Sequence, residues 1–379
     1  MLTRRLLIAL GASLPIVGAA RAQTGAIVAK VRLENGRVVI DTHLNGKGPY
    51  AFVIDTGAVV SGVEDDLARS LGLKLIRQVR LNNGRTFPLY GVDELVLGGA
   101  VRQQDASLFG LKADLRGGDG LIAAGLMTTH DSILDFDREE WRLYPGGLGA
   151  RPGYSELDSE IQLDPGSNGS RRISVQAVLD GKRLKLLIDT GAPRMVVLDP
   201  DIGKGLGYWD DTKVFAPAAF SGITGTLDKS GRTVRGKLLE IGPGRFERPL
   251  VTTRYPGAPV IRGFDGIIGL PVLERLNLSV AAAARRLWVQ PNGRPQRREA
   301  VNRSGLWLDP AKGGARVAVV ATGSPAAAAG LKVGDRIAGP AEFGEVLRLL
   351  GGAAGETVTL RLEGPAGARD VSFVLADYV

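Results

Sequence analysis

Apolar and polar residues alternate along 27–44, which is typical of half-buried β-strands. A turn at Gly46-Lys47-Gly48 and an apolar stretch ending at Asp55 follow. The same pattern returns at 173–179, where a glycine-containing turn leads into a second apolar stretch ending at Asp189. Each half of the chain is therefore predicted to form a β-hairpin whose last strand ends at an aspartate.

The two aspartates belong to an internal repeat. Residues 52–58 read Phe-Val-Ile-Asp-Thr-Gly-Ala, and residues 186–192 read Leu-Leu-Ile-Asp-Thr-Gly-Ala. The similarity continues downstream, where Asp-Gly-Leu-Ile at 119–122 matches Asp-Gly-Ile-Ile at 265–268. The sequence thus predicts two related lobes within one chain.

Composition favours a mainly β protein without covalent cross-links. The chain of 379 residues has 53 glycines and 20 prolines between short apolar runs, as in β-rich lobes joined by turns. The sequence has no cysteine, which excludes disulfides, thiol nucleophiles and cysteine zinc sites. Its only histidines are His43 and His130, too few for a histidine metal cluster. We therefore expect no metal and no cofactor.

The formal net charge of +8 does not indicate a nucleic-acid partner. One basic cluster lies in a polar, proline-containing stretch without interleaved aromatic residues, and comprises Arg294, Arg297, Arg298 and Arg303. A solvated linker accounts for that cluster better than nucleic-acid binding does.

Residues 1–22 are predicted to be an export signal. Arg4 and Arg5 precede a short apolar stretch, and Ala20-Arg21-Ala22 is a small-residue cleavage site. The alternative, a membrane anchor, is disfavoured because the stretch is shorter than the roughly 20 residues that span a bilayer. Thr3-Arg4-Arg5 leaves the twin-arginine export route open. We expect a periplasmic or extracellular protein with no membrane span once the signal is removed.

Two Asp-Thr-Gly sequences supply the groups for acid–base catalysis. Two carboxylates held within about 3 Å cannot both ionise, so they share one proton. The ionised carboxylate takes a proton from a water that attacks a carbonyl carbon, while the protonated carboxyl donates to the carbonyl oxygen. This chemistry requires no metal, and it makes Asp55 and Asp189 the predicted catalytic residues.

Over about residues 27–290 the chain resembles the retropepsin-like aspartic proteases. The resemblance is carried by Asp55-Thr56-Gly57-Ala58, Asp189-Thr190-Gly191-Ala192 and Ile267-Ile268-Gly269. It implies two closed β-barrel lobes that meet at their catalytic loops, with Asp55 and Asp189 as the dyad. The other residues of the two loops would support the dyad: Thr56, Gly57, Ala58, Thr190, Gly191 and Ala192. By the same resemblance, the threonine hydroxyls would link the two loops.

The resemblance also implies a β-hairpin flap over the cleft. Val79–Tyr90, with Asn82-Asn83-Gly84 as its turn, is the better candidate, and Phe220–Val234 is a poorer one. An ordinary surface hairpin is the alternative for both.

Two departures from the family pattern raise the possibility that one lobe has degenerated. The first lobe has Ala123 where the apolar-apolar-Gly element has its glycine. The second catalytic loop continues as Pro193-Arg194-Met195, which could direct Arg194 toward the dyad. An arginine near the dyad would favour its ionised forms and depress catalysis at mild pH.

The C-terminal region resembles a PDZ domain of the bacterial protease type. The resemblance is carried by Ser324-Pro325-Ala326, Ala329-Gly330-Leu331 and Val333-Gly334-Asp335-Arg336-Ile337. It implies that Gly305-Leu306-Trp307-Leu308 binds a peptide C-terminus beside a groove helix predicted over Glu342–Leu350. Because the Asn-Gly turn usual in the family is replaced by Gly339-Pro340, a module that only packs is the alternative.

We therefore expect a signal peptide (1–22), two retropepsin-like lobes (23–150 and 151–292) and a PDZ-like domain (300–379). The leading hypothesis is a monomeric aspartic endopeptidase that hydrolyses exported or envelope polypeptides. A non-catalytic peptide-binding or scaffold protein that retains the protease fold is the alternative. A third possibility is that each lobe pairs with the same lobe of another chain.

Overall fold

The computed structural model describes residues 25–80, 84–112, 117–163, 170–222, 225–226, 229–297, 299–364 and 367–379. The predicted signal peptide lies outside these residues. The protein is mainly β, which confirms the predicted fold class.

The first repeat is built from strands and two short helices. In chain order these are β1 (Ile27–Glu34), β2 (Arg37–Leu44), β3 (Lys47–Asp55), β4 (Gly62–Glu64), α1 (Asp65–Ser70), β5 (Lys74–Arg80), β6 (Thr86–Leu97), β7 (Val101–Leu111), β8 (Gly120–Ala123), α2 (Gly125–Thr128), β9 (Asp131–Asp135) and β10 (Glu140–Tyr144).

The second repeat follows the same plan with shorter strands. Its elements are β11 (Ser155–Glu156), β12 (Ser159–Leu163), β13 (Arg171–Leu179), β14 (Lys182–Asp189), β15 (Val196–Leu198), α3 (Pro200–Gly205), β16 (Ala216–Ala218), β17 (Ser221–Gly222), β18 (Gly225–Thr226), β19 (Gly231–Arg235), β20 (Leu238–Ile241), β21 (Gly244–Glu247), β22 (Leu250–Thr253), β23 (Gly266–Gly269), α4 (Leu270–Leu273), β24 (Leu276–Ala281) and β25 (Arg286–Pro291).

The C-terminal region forms a sheet in the order β26-β27-β28-β29-β30. Its elements are β26 (Leu306–Ala311), β27 (Gly314–Val320), α5 (Pro325–Ala328), β28 (Arg336–Gly339), α6 (Phe343–Leu350), β29 (Thr357–Gly364) and β30 (Gly367–Val374). The predicted helix over Glu342–Leu350 is confirmed as α6, whose Val346 is fully buried in the core of this region. The PDZ assignment itself stays a prediction.

The chain folds into two compact units. The first extends to Met195 and also contains Leu239–Phe246 and Gly266–Arg297. The second contains Val196–Leu238, Glu247–Asp265 and the chain beyond Arg297, so it joins part of the second repeat to the C-terminal region. This grouping does not test the predicted domain boundaries, which stay a prediction.

One sheet in the first unit links the two repeats, in the order β11-β25-β24-β9-β10-β1-β2-β3-β8-β4-β7-β6-β5. Its central contact is the antiparallel pair β9–β24, in which Leu134 lies opposite Leu278. Both side chains are fully buried. The closing strands of the two repeats therefore share one core, which joins the repeats.

Tight turns set the register of the hairpins that lead to the aspartates. Asn45-Gly46 joins β2 to β3, and Asp180-Gly181 joins β13 to β14. All four residues have positive φ, between 50° and 82°, as two-residue type I′ hairpin turns require. The first turn lies one residue earlier than predicted, because Asn-Gly accepts this conformation more readily than the Gly-Lys-Gly that follows it.

In the part of the chain that the structure describes, no helix is both long and apolar enough to cross a membrane.

Candidate active site

Each predicted catalytic aspartate is the last residue of a buried strand that has a parallel neighbour. In the first repeat, β3 runs parallel to β8, with Asp55 opposite Ala123. In the second, β14 runs parallel to β23, with Asp189 opposite Gly269. The three residues before each aspartate are apolar and buried, as strand positions covered on both faces require. Each aspartate thus lies at the end of the corresponding strand of its repeat, beside the corresponding parallel strand.

Glycine and alanine amides after each aspartate hold its carboxyl group. Oδ1 of Asp55 accepts hydrogen bonds from the amides of Gly57 and Ala58, both at 3.0 Å. Oδ1 of Asp189 accepts one from the amide of Gly191 at 2.9 Å. Hydrogen bonds from amides stabilise the ionised carboxylate, so these turns fix the direction of the side chains and oppose the rise in pKa that burial causes.

The two threonines link the loops reciprocally. Oγ1 of Thr56 donates to the carbonyl of Ile188 at 2.9 Å and accepts from the amide of Thr190 at 3.0 Å. Oγ1 of Thr190 donates to the carbonyl of Ile54 at 2.6 Å and accepts from the amide of Thr56 at 3.1 Å. Both side chains are fully buried. The two loops of a single chain therefore meet.

The glycine of each loop lies directly under the carboxyl group of the other loop. A Cβ atom added to Gly191 would lie 2.5 Å from Cγ of Asp55, and one added to Gly57 would lie 2.5 Å from Oδ2 of Asp189. Each carboxyl group also contributes to the pKa shift of the other. Glycine is required at both positions because any side chain would displace the opposing carboxyl group.

The electrostatics of the pair are unequal. Burial raises the pKa of Asp55, while the amides of Ala58 and Gly57 and the charge of Arg37 oppose the rise. Burial also raises the pKa of Asp189 well above its usual value, and the negative charge of Asp55 raises it further. The larger rise at Asp189 favours Asp189 as the member that holds the shared proton.

Arg37 was not identified from the sequence. It is the first residue of β2, and its Nη1 donates a hydrogen bond to the carbonyl of Gly191 in the opposite catalytic loop. Its charge also acts on Asp55. The sequence raises the possibility of an arginine near the dyad at position 194, and the approach of the Arg194 side chain to the dyad stays a prediction.

Ala123 does not weaken the first lobe in the way its sequence implied. In the second lobe the loop backbone packs against Gly269, whose amide donates to the carbonyl of Met195 at 3.0 Å. In the first lobe the amide of Ala123 donates instead to Oγ of Ser61 at 3.0 Å. The hydroxyl group spans the gap that the alanine methyl group imposes, so each lobe retains a hydrogen bond at this point.

Both predicted flap regions form hairpins. β5 pairs with β6 up to Arg80 opposite Thr86, and the predicted turn residues 82 and 83 lie outside the described residues. In the second unit, β16 pairs with β19, and β17 pairs with β18 nearer the tip of the same hairpin. The function of either hairpin as a flap stays a prediction.

The amides of the predicted carboxylate-binding loop are hydrogen-bonded to side chains a few residues away. The amide of Gly305 donates to Oδ1 of Asn302 at 2.8 Å, and the amide of Leu306 donates to Oγ of Ser304 at 3.1 Å. Nδ2 of Asn302 also donates to the carbonyl of Leu306 at 2.8 Å. Trp307 and Leu308 continue into β26, which lies at the edge of its sheet. A peptide C-terminus would have to displace the Asn302 and Ser304 side chains to use these two amides.

The described residues contain no group of three or more histidine, aspartate or glutamate side chains placed to hold a metal ion.

No family model matches the chain, and no curated protein matches it. The solved structures similar to it include a retropepsin-like aspartic protease from Rickettsia conorii, at 17% identity and a TM-score of 0.27, covering 36% of this chain and 90% of that one. They also include an aspartic proteinase from Irpex lacteus, at 13% identity and a TM-score of 0.44, covering 70% of this chain and 97% of that one. The function proposed next rests on the residues of the site itself.

Proposed function

We propose that this protein is an aspartic endopeptidase that hydrolyses peptide bonds with Asp55 and Asp189. The observation that carries the proposal is the reciprocal bonding of Thr56 and Thr190, which holds each carboxyl group over the glycine of the opposite loop. A binding protein or scaffold has no need of two carboxyl groups that share a proton, because burying that pair is costly.

Asp55 is the general base of the proposed reaction and Asp189 is the general acid. A water held between the two carboxyl groups gives a proton to Asp55 as its oxygen attacks the peptide carbonyl carbon. Asp189 donates its proton to the carbonyl oxygen, which yields a tetrahedral diol. Asp55 then gives the proton it took from water to the leaving nitrogen, the C–N bond breaks, and one of the two diol hydroxyls returns its proton to Asp189, which leaves a carboxylic acid and an amine.

The substrates are proposed to be polypeptides outside the cytoplasm, such as exported or envelope proteins. This part of the proposal rests on the predicted export signal at 1–22. The unequal pKa values support activity on the acidic side of neutrality, where Asp189 keeps its proton and Asp55 has lost its own.

The test is hydrolysis of a denatured protein between pH 3 and pH 7 by the purified chain and its variants. Asp55→Asn and Asp189→Asn should each lower kcat/KM at least about a hundredfold, the lower range of general acid–base contributions. Asp66→Asn is the matched control because Asp66 is an exposed aspartate of the same lobe, paired with Arg69 on the surface. Equal rates for wild type and both dyad variants would refute the proposal.

A statine-containing peptide, which mimics the tetrahedral intermediate, tests the alternative of a binding protein. Only a working dyad favours that geometry over the extended ground-state peptide. We expect the wild type to bind this probe at least about a hundredfold more tightly than the matching unmodified peptide. Equal affinity for the two peptides would favour a scaffold.

A further inference from the structure

Arg37 reaches the active site from a strand that does not carry a catalytic residue. The turn Asn35-Gly36, with φ values of 50° and 70°, joins β1 to β2 and places Arg37 opposite Glu34 at the start of β2. From there the half-buried side chain crosses to the second catalytic loop, where Nη1 binds the carbonyl of Gly191. One residue of the first repeat thus holds the loop of the second.

The charge of Arg37 acts on the aspartate of its own repeat. The charged groups that act most strongly on Asp55 are Asp189, at the end of β14, and Arg37, at the start of β2. Arg297 also approaches this turn, at Gly36, but it forms an ion pair with the buried Glu274. Arg172 holds the equivalent place in the second repeat, and its charge is not among the main causes of the pKa shift of either aspartate. Arg37 is therefore the cation positioned to distinguish Asp55 from Asp189.

We propose that Arg37 is a positioning residue that decides which aspartate of the dyad carries the shared proton. Its bond to the Gly191 carbonyl fixes the loop that holds protonated Asp189, and its positive charge keeps Asp55 ionised. The inference rests on the proposed peptidase function. It adds an electrostatic asymmetry that the two equivalent Asp-Thr-Gly loops do not have by themselves.

The consequence is a specific shape of the pH–rate profile. The acid limb of kcat/KM reports the ionisation of the base in the free enzyme, which here is Asp55. A nearby cation lowers the pKa of a carboxyl group, by about 1 unit or more when it lies within a few ångströms. Arg37 therefore extends activity to lower pH, and its removal should shift the acid limb upward.

The experiment compares Arg37→Gln, Arg37→Lys and Arg32→Gln in the full chain. Arg37→Gln removes the charge and should raise the acid limb by about 1 pH unit, so that kcat/KM below the limb falls about tenfold. Arg37→Lys keeps the charge and should leave the limb within about 0.3 units of wild type, while kcat falls because the planar guanidinium contact is lost.

Arg32→Gln is the matched control. Arg32 lies on the neighbouring strand β1 and is paired with Glu34 and Asp41, away from the dyad loops. Removing the same charge there should leave the limb unchanged, because exposed charges are screened by salt. An unchanged limb in Arg37→Gln, or an equal shift in Arg32→Gln, would overturn the proposal.

A second measurement separates this inference from the proposed function. The ¹³Cγ resonances of aspartate follow protonation without turnover, and the resonance that Asp55→Asn removes identifies Asp55. We expect its titration midpoint to rise by about 1 unit in Arg37→Gln. That rise in an inactive protein would refute the peptidase and support the role of Arg37. An active enzyme without the rise would refute the role of Arg37 alone.

Discussion

The hydroxyl of Thr190 offers the most direct test of how the two loops are held together. Thr190→Val keeps the size and the methyl group of the side chain but removes the hydroxyl. The carbonyl of Ile54 and the amide of Thr56 then lose the hydrogen bonds that this hydroxyl supplies. Both partners belong to the opposite repeat, so the substitution weakens the join between the repeats at the dyad.

The magnitude follows from the burial of the site. Thr190 is 0% exposed, so water cannot replace the hydroxyl without opening the loops. A buried backbone group left without a partner costs about 1–3 kcal/mol, so two such groups lower the free energy of local opening by about 2–6 kcal/mol. Since each 1.4 kcal/mol is a factor of ten, amide exchange in the loops should accelerate about 30- to 20,000-fold.

Hydrogen–deuterium exchange measured by mass spectrometry on peptides that contain Asp55–Ala58 and Asp189–Ala192 is the appropriate assay, because it reports local opening. Thr190→Ser is the matched control, since it keeps the hydroxyl and loses one buried methyl group, worth about 0.8 kcal/mol. It should accelerate exchange less than tenfold. If the valine variant exchanges no faster than the serine variant, the reciprocal hydrogen bonds do not hold the loops.

Three further predictions concern single positions of the site. Gly191→Ala places a methyl group against the Asp55 carboxyl group and should lower kcat/KM at least about a hundredfold in the peptidase assay, whereas wild-type activity would contradict the packing. Ser61→Ala leaves the Ala123 amide without its acceptor and should lower the free energy of unfolding in urea by about 1–3 kcal/mol; no loss would show that this bond is dispensable. Because the pKa of Asp189 is raised by folding, the folded protein retains a proton that the unfolded chain releases above about pH 3.9, and wild-type stability falls as pH rises from there to the folded pKa. Asp189→Asn should remove that fall. The prediction is refuted if the free energies of unfolding in urea of wild type and Asp189→Asn differ by the same amount at every pH from 3 to 7.

Much of the site could be predicted because short local sequence patterns determine it. An apolar strand, a tight turn and an Asp-Thr-Gly sequence recur in both repeats, and the strand register then places Asp55 and Asp189 at equivalent positions. Facing glycines follow from the need for close approach. The hairpins at 79–90 and 220–234 are also visible in the sequence as turn residues between strand-like runs.

Arg37 could not be identified in this way because its partners are distant in sequence. It lies 154 positions before Gly191, and an arginine that begins a strand usually has no functional meaning. A signal does exist in the repeat. When the two copies are aligned by the register of their hairpins, Arg172 falls at the position of Arg37. An arginine that directly precedes the apolar run in both copies could have directed attention to this position.

The amides of Gly305 and Leu306 illustrate a different limit. The sequence identifies a loop of the right composition, but it does not show that Asn302, three residues earlier, folds back to occupy one of those amides. Asparagine side chains commonly bond to backbone groups a few residues away, so the same residue is consistent with an open loop or a closed one. Local side chain-to-backbone bonds therefore decide whether such a loop is available, and composition does not record them.

The departures that implied a degenerate lobe are better explained as paired differences. Ala123 occurs with Ser61, whose hydroxyl reaches the amide of the bulkier residue, whereas Gly269 occurs with a loop whose backbone packs directly on it. Each pair satisfies the same backbone group by different means, so the two halves can present their aspartates alike while their sequences differ. What separates the two halves functionally is then charge, because Arg37 favours the ionised form of Asp55, whereas the charge of Asp55 favours the protonated form of Asp189. A dyad that must use one carboxyl group as base and the other as acid benefits from that inequality, since a symmetric pair would divide its proton between two equivalent states.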